Sequence, residues 1–257
     1  PLSPTQRRHH RWNFPWSEAA SYEERLRYEL EVLGIDHLVP AGVTLTAPHP
    51  EVRAKVWREG DVLHKVFTTP AGDLHAAVLF TEEWPHGDDI PFFSDFNVGH
   101  YVKPWIRDEA DLRCFTYVHR LDPSAALLAA ARESLSAARR LADRHGLAVN
   151  APGGMGLTGA QHLFGAADLC IASIDNPGLV HAYLDHDHQI NLRTLEVIGE
   201  SGCVDTVRRN GFYETADFYS PAQLTDFLAG RLTAEADCAH AYGMTMSYTV
   251  NTGVMPI

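Results

Sequence analysis

One module recurs along the chain: an amphipathic helix, then a glycine, then a short apolar strand. It is recognised at Gly34, Gly146, Gly202 and Gly243. Glycine commonly ends a helix because it adopts the left-handed backbone conformation without a steric penalty. Helices that alternate with short buried strands indicate a parallel sheet with helices packed against it. The module therefore restricts the chain to the α/β class.

Within that class, a consistent module with insertions of unequal length favours a (β/α)8 TIM barrel over a dinucleotide-binding sheet. We recognise no Gly-x-Gly-x-x-Gly element between a strand and a helix, which also disfavours such a sheet. Barrels often occupy a chain of this length as one domain, so we predict a single domain over residues 1–257. Only about four or five strands of this kind can be counted, whereas a barrel has eight. We therefore expect the C-terminal strands of the barrel to be missing from the chain.

Residues 43–80 have a different character. Two strand-like segments, 62–67 and 74–80, flank the turn-forming sequence Thr69-Pro70-Ala71-Gly72-Asp73. Short β-prone segments separated by such a turn predict a β-hairpin, here inserted beside the main fold. Residues 84–105 follow, rich in proline and aromatic residues, and we expect them to cross the surface.

Charge and cysteine content restrict the partners and the compartment. The chain has 21 lysine and arginine residues against 33 acidic ones, a formal charge of −12. An acidic surface disfavours binding to nucleic acid or to an anionic membrane, and no apolar segment approaches the roughly 18 residues of a membrane span. The four cysteines form no CxxC element, so we expect reduced thiols. These features predict a cytoplasmic protein, with a homodimer left open.

The segment with the most chemistry is the loop of residues 210–219, between a predicted strand and a helix that begins at Ser220-Pro221. Active sites of barrels lie at the C-terminal ends of the strands. A carboxylate there, Glu214 or Asp217, can act as a general acid or base or bind a metal. Tyr213 and Tyr248 can donate hydrogen bonds to a substrate. Glu214 and Tyr248 follow consecutive predicted strands, which lie about 4.8 Å apart in a sheet, so we expect them to face the same cavity. Solvated loop carboxylates and core aromatic residues are the alternatives.

Three further groups at predicted strand ends or near the N-terminus are candidates for substrate binding. Asn150 and Asn251 supply amides, although turn formation is the alternative for both. Phe212 lies in the aromatic loop, and Arg11 belongs to a basic segment that suits a carboxylate or is a disordered arm. Because Glu214 is expected on an exposed loop, its replacement by Gln should affect turnover and leave folding nearly unchanged.

Two other motifs favour structural interpretations. Residues 181–188 contain several side chains of metal-ligand type, but they fall on one predicted helix, where adjacent residues do not face each other. We expect a solvated face. The glycine-rich loop of residues 153–156 could hold phosphate, yet no Lys-Ser/Thr pair follows it, which favours close packing or a mobile loop.

A longer pattern runs from a glycine-initiated strand, through an aromatic and acidic loop, to a helix opened by Ser-Pro with Phe in its second turn. Here it is carried by residues 202–205 and 212–215, by Ser220-Pro221 and by Phe227. This pattern resembles the uroporphyrinogen decarboxylase superfamily. Supporting similarities occur at Asn150–Met155, at Phe164-Gly165 and at Leu33–Asp36, so the resemblance extends over about residues 21–253.

The resemblance implies a TIM barrel and an enzyme. The superfamily includes porphyrinogen decarboxylases and corrinoid-dependent methyltransferases, among them O-demethylases. The Thr69-Pro70-x-Gly72 hairpin is more similar to the methyltransferase branch. The decarboxylase's Gly-Arg-Tyr-Leu-Pro element is absent, and its aspartate at a strand end is replaced by Val39-Pro40-Ala41. Where the methyltransferase branch often has His-x-Cys, this chain has Tyr248-Thr249-Val250, so a zinc ion is left open and its ligands are unknown.

The resemblance thus implies a methyltransferase that moves a methyl group from a small methoxylated or methylated substrate to the cobalamin of a partner corrinoid protein. No cofactor is expected to be covalently bound. Two alternatives stay open: a uroporphyrinogen decarboxylase of tetrapyrrole biosynthesis, and a non-catalytic barrel that binds a tetrapyrrole or another ligand.

Overall fold

The computed structural model describes residues 20–251. The helices are α1 (Tyr22–Glu31), α2 (Asp95–His100), α3 (Glu109–Val118), α4 (Ala125–His145), α5 (Gly156–Phe164), α6 (Ala166–Asp175), α7 (Pro177–Ser201), α8 (Pro221–Leu224) and α9 (Gly230–Ala241), and a π-helical segment, Thr225–Ala229, joins α8 to α9. The strands are β1 (Leu38–Pro40), β2 (Thr46–Ala47), β3 (Arg53–Glu59), β4 (Val62–Thr69), β5 (Gly72–Leu79), β6 (Tyr101–Lys103), β7 (Arg120–Leu121), β8 (Ala148–Pro152), β9 (Thr206–Asn210) and β10 (Thr245–Thr249).

The predicted parallel sheet is present, with the strand order β1-β8-β9-β10 and every pair parallel. The strands stand in the order in which they occur along the chain. Successive crossovers therefore move in one direction, as in a barrel, and the order does not reverse as it does in a doubly wound sheet. The mixed α/β class is confirmed. Within residues 20–251 the sheet is open, so the closed (β/α)8 barrel stays a prediction.

The two faces of the parallel sheet differ. One face carries Val39, Val149 and Val207, which pack with Leu135 of α4 and Leu195 of α7 in one apolar core. Burial of such side chains is the main force that holds the helices on this side, at roughly 1.5–3 kcal/mol each. We call the other side the open face; it carries Leu38, Asn150, Arg208 and Ser247, and Leu38 is 47% exposed.

Local signals set the helix ends. Ser21 with Glu24 and Ser220 with Gln223 each form a capping box, in which side chain and backbone exchange hydrogen bonds at a helix start. Gly146 follows α4 in the left-handed conformation, at a φ of 66°. None of the helices in residues 20–251 combines the length and hydrophobicity that spanning a membrane requires.

The predicted hairpin is confirmed as β4 and β5, which pair from Val62↔Leu79 to Thr69↔Gly72. It is part of a larger antiparallel sheet, because β3 and β6 add a strand on either side. The expectation that residues 84–105 cross the surface is wrong. Trp84 and Trp105 are buried in the core that covers the inner face of this sheet, where Trp105 packs against Phe67 of β4.

Candidate functional site

A group of three buried charged side chains and one partly exposed tyrosine joins the ends of β9 and β10 to the helices. This charge cluster consists of Arg209, Glu214, Glu235 and Tyr248. Arg209 Nη2 lies 2.9 Å from Glu214 Oε1, and Nη1 lies 3.4 Å from Glu235 Oε2. All three of these charged residues are 2% exposed. Tyr248 of β10 lies directly beside Arg209 of β9, and Arg209 holds the Glu214 carboxylate. The Tyr248 hydroxyl is therefore close enough to donate a hydrogen bond to the same carboxylate.

Further hydrogen bonds offset the free-energy cost of burying these charges. Glu214 Oε1 also accepts from the backbone N–H of Leu157, at 2.8 Å, and His188 Nδ1 lies 3.0 Å from Glu235 Oε1. Burial raises the pKa of Glu214, and the Arg209 guanidinium opposes that rise. Buried charges persist only when they are paired and hydrogen-bonded in this way. The charge cluster therefore fastens β9 and β10 to α5, α7 and α9.

The expectation that Glu214 lies on an exposed loop is wrong, because its ion pair with Arg209 draws the loop inward. Glu214 and Tyr248 were predicted to face one cavity; instead they contact each other through a partly buried hydrogen bond. Neither residue lines the two cavities described below.

The glycine loop lies between β8 and α5, and Gly154, Gly156 and Gly159 have the Gly-x-Gly-x-x-Gly spacing. The expectation that no such element lies between a strand and a helix is therefore wrong. In nucleotide-binding folds, N–H groups at this point bind phosphate. Here the N–H of Gly156 donates to Asp187 Oδ2 at 3.0 Å, and the N–H of Leu157 donates to Glu214. Two carboxylates of the protein therefore occupy the place of a phosphate.

The other predicted catalytic residues lie outside the charge cluster. The Tyr213 hydroxyl donates to Asp95 Oδ1 at 3.1 Å, and the same oxygen lies 2.7 Å from His162 Nε2. Asp217 is exposed and Phe212 is half-buried in the same loop. The structure thus brings Glu214 and Tyr248 together and leaves Tyr213 and Asp217 apart from them.

The first cavity, the strand-end cavity, opens on the open face at the ends of β1, β8 and β9. Its volume is about 510 Å³, and its walls include Pro40, Asn150, Pro152, Arg208 and Asn210. Asn210 Oδ1 is buried and has no hydrogen-bond partner among the described residues. The Arg208 guanidinium has no ion-pair partner within residues 20–251.

Of the residues predicted to bind substrate, Asn150 lines the strand-end cavity. Asn251 is exposed and is not among the residues that line either cavity. Arg11 lies outside the described residues. Arg208 and Asn210 were missed, although each stands at the end of a predicted strand, where barrel enzymes place their functional groups.

The second cavity, the glycine-loop cavity, has a volume of about 250 Å³ and lies between the glycine loop, residues 43–46 and α7. Asp187, Asn191 and Thr194 of α7 line it, together with His119. Burial raises the pKa of Asp187. Burial and the nearby His186 lower the pKa of His119 to about 4, so its imidazole is neutral at pH 7.

The expected solvated face over residues 181–188 is therefore wrong in part. Asp187 accepts from the glycine loop, His188 contacts Glu235, and His186 Nε2 lies 2.7 Å from the carbonyl oxygen of His119. The long helix α7 packs against neighbours on several sides, which a local pattern does not reveal. Asp187, Asn191 and Thr194 are spaced so that they lie on one face of a helix, and this spacing could have predicted the polar wall of the cavity.

No three His, Cys, Asp or Glu side chains between residues 20 and 251 are placed to hold a metal ion. Zinc stays an open prediction, with its ligands unknown.

No protein-family model matches the chain, and no curated protein matches it. Among solved structures it is similar to a methyltransferase from Methanosarcina mazei, with a TM-score of 0.40 and 16% sequence identity. The similarity covers 60% of this chain and 41% of that chain, so this protein spans less than half of the methyltransferase's length. At this identity, the similarity concerns the arrangement of helices and strands alone.

Proposed function

We propose that this protein is a methyltransferase, which takes a methyl group from a small methoxylated or methylated compound and passes it to the cobalamin of a partner protein. The observation that carries the proposal is the strand-end cavity, where one guanidinium and two amides meet at the ends of parallel strands. In β/α barrels, that edge of the sheet holds the active site.

We also propose that the parallel sheet belongs to a (β/α)8 barrel of the uroporphyrinogen decarboxylase type. The sequential strand order supports this, as do the helices confined to one face. Parallel sheets are normally covered on both faces, and closure into a barrel would bring further strands opposite the open face. The open face would then be the barrel interior, and Asn150 and Arg208 would point into it.

Arg208 is proposed as the catalytic residue. When the C–O bond of a methyl ether breaks, the electron pair and a developing negative charge stay on oxygen, which then takes a proton from solvent. A guanidinium fixed beside that oxygen stabilises the charge. The reduced corrinoid of the partner protein would supply the electron pair that forms the new bond to the methyl group. Asn150 and the unpaired oxygen of Asn210 would orient the rest of the substrate through hydrogen bonds.

Glu214 and Tyr248 are proposed as positioning residues. Glu214 holds the guanidinium of Arg209, and Arg209 is the neighbour of Arg208 on β9. Successive residues of a strand point to opposite faces, so anchoring Arg209 on the helix side fixes the direction of Arg208 on the open face. Catalytic roles for Tyr213 and Asp217 stay predictions.

The test compares Arg208→Gln with Arg113→Gln, since Arg113 is an exposed arginine of α3 far along the chain from the strand-end cavity. Methyl transfer from a methoxylated aromatic compound to free, reduced cobalamin is followed by absorbance. The Arg208 variant should lose about 10²- to 10³-fold in kcat, the usual effect of removing one group that stabilises an oxyanion. The Arg113 variant should match the wild type. Equal rates in both variants would remove Arg208 from the mechanism.

The decarboxylase alternative is less well supported by the strand-end cavity. A porphyrinogen carries several carboxylates, and each requires a cation or donor. Among the described residues that line this cavity, Arg208 supplies the one guanidinium and there is no lysine.

A further inference from the structure

The glycine-loop cavity is separate from the strand-end cavity. Of the described residues that line the two, Pro152 alone is common to both. We infer that the glycine-loop cavity is a second binding site, for small uncharged molecules that combine an acceptor oxygen with an O–H or N–H donor, such as a phenol or a primary carboxamide. This inference does not depend on methyl transfer.

The first support is Asn191. Its side chain lines the cavity but the residue is only 6% exposed, and its Nδ2 has no hydrogen-bond partner in residues 20–251. Buried donors are nearly always paired, because an unpaired one loses its hydration without compensation. An acceptor oxygen in the cavity would satisfy it.

The glycine loop is shaped around this amide. A Cβ built on Gly154 would lie 2.9 Å from both Cγ and Nδ2 of Asn191, closer than real side chains approach. Glycine at this position therefore leaves room for the amide beside the loop. Any larger residue would push the Asn191 side chain out of place.

The second support is Asp187, which stands one helical turn before Asn191 and so on the same face of α7. Its carboxyl group lines the cavity and is fixed by the N–H of Gly156. A carboxyl group accepts from a ligand O–H or N–H group. Asn191 and Asp187 together therefore present one donor and one acceptor, which a phenol or a carboxamide matches.

Charge and size narrow the ligand further. No lysine or arginine is among the described residues that line the cavity, and His119 is neutral at pH 7. The charge of Arg209 acts on Asp187, but Arg209 is already paired with Glu214 and Glu235, so an anion would meet Asp187 without a free cation. Phe93, Leu45 and Ile190 supply apolar walls, and the volume of about 250 Å³ is below the range of about 300–1,000 Å³ typical of drug-sized ligands. One ring with one polar substituent is the expected size.

The experiment is a titration of the wild-type protein with four ring compounds, monitored by NMR: phenol, benzamide, toluene and benzoate. Phenol and benzamide should bind, and toluene and benzoate should bind at least about tenfold more weakly, the effect of one unmet buried hydrogen bond. Toluene or benzoate binding as tightly as phenol would overturn the inference. Absence of any phenol binding would overturn it as well.

Asn191→Leu keeps the side-chain volume and removes the donor. It should weaken phenol about tenfold and leave toluene unchanged, whereas Gln189→Leu, an exposed position on the same helix, should change neither. Phenol bound equally by the Asn191 variant would contradict the assignment. If that variant does not fold, the four-compound series on the wild type still decides. Arg208→Gln should bind phenol as tightly as the wild type does. That result would show that the glycine-loop cavity binds phenol independently of the proposed methyltransferase site.

Discussion

Replacement of Glu214 by Gln should destabilise the fold strongly. The carboxylate is 2% exposed and lies 2.9 Å from Arg209. It also accepts from the Tyr248 hydroxyl and from the N–H of Leu157. Glutamine keeps the size and one acceptor oxygen but removes the negative charge, so Arg209 retains only the more distant Glu235, at 3.4 Å.

The magnitude follows from the position of this charge in the interior. Breaking a buried ion pair by removing one partner costs about 3–5 kcal/mol, because the other charge is left without compensation. Glu235 still balances part of the Arg209 charge, so the lower end, about 3 kcal/mol, is expected. For a domain of this size, about 3 kcal/mol corresponds to a fall in Tm of roughly 6–12 °C.

The assay is urea unfolding followed by far-UV circular dichroism, with Glu133→Gln as the matched control. Glu133 pairs with Arg140 at 3.1 Å, but its side chain is 75% exposed, so its loss should change stability by under about 0.5 kcal/mol. If Glu214→Gln behaves like the control, the charge cluster does not hold the strands to the helices, and the reasoning from burial is refuted.

Two further predictions concern the glycine loop and pH. Gly156→Ala should cost about 2–4 kcal/mol in unfolding free energy, because the new Cβ would lie 2.1 Å from Arg209 Nη2 and the backbone has a φ of 50°. The control is Gly60→Ala, where φ is 58° but the space around the new Cβ is open, and its cost should be only about 1 kcal/mol. Stability should also fall as pH drops from 6.5 to about 4, because in this range His119 is protonated in the unfolded chain but stays neutral in the folded protein, where its pKa is lowered to about 4. This contribution of His119, on the order of 3 kcal/mol, is measured as the difference in unfolding free energy between pH 7 and pH 4, and it should be absent from His119→Phe. An equal loss of stability in the wild type and in His119→Phe would contradict the pH prediction. Equal costs of Gly156→Ala and Gly60→Ala would contradict the glycine prediction.

Features specified by neighbouring residues could be predicted from the sequence. The capping boxes at Ser21 and Ser220 and the hairpin around Pro70 depend on residues within a few positions of each other. The parallel sheet followed from the repeated helix–glycine–strand module. The burial of Trp84 and Trp105 could not be predicted in this way, because it depends on packing against residues distant in the sequence, such as Phe67 of β4 against Trp105.

The charge cluster shows why most of the site was missed. Arg209 and Glu235 are 26 positions apart, and His188 and Glu235 are 47 apart. Each alone has the appearance of a solvated residue, and only the packing of α7 and α9 on the sheet brings them together. Glu214 and Tyr248 were singled out correctly as neighbours because strand-end geometry relates them. Arg208 and Asn191 had no local signal beyond their positions on a strand end and a helix face.

The most direct test of the proposed function is the fate of a labelled methyl group. The wild-type protein is incubated with reduced cobalamin and a panel of ¹⁴C-methyl ethers and methylamines, and label in the corrinoid is measured against a no-protein control. The proposal predicts transfer from at least one methyl donor, and loss of that transfer in Arg208→Gln with retention in Arg113→Gln. Absence of label in the corrinoid for every donor, together with release of CO₂ from a porphyrinogen by the same preparation, would contradict it and favour the decarboxylase.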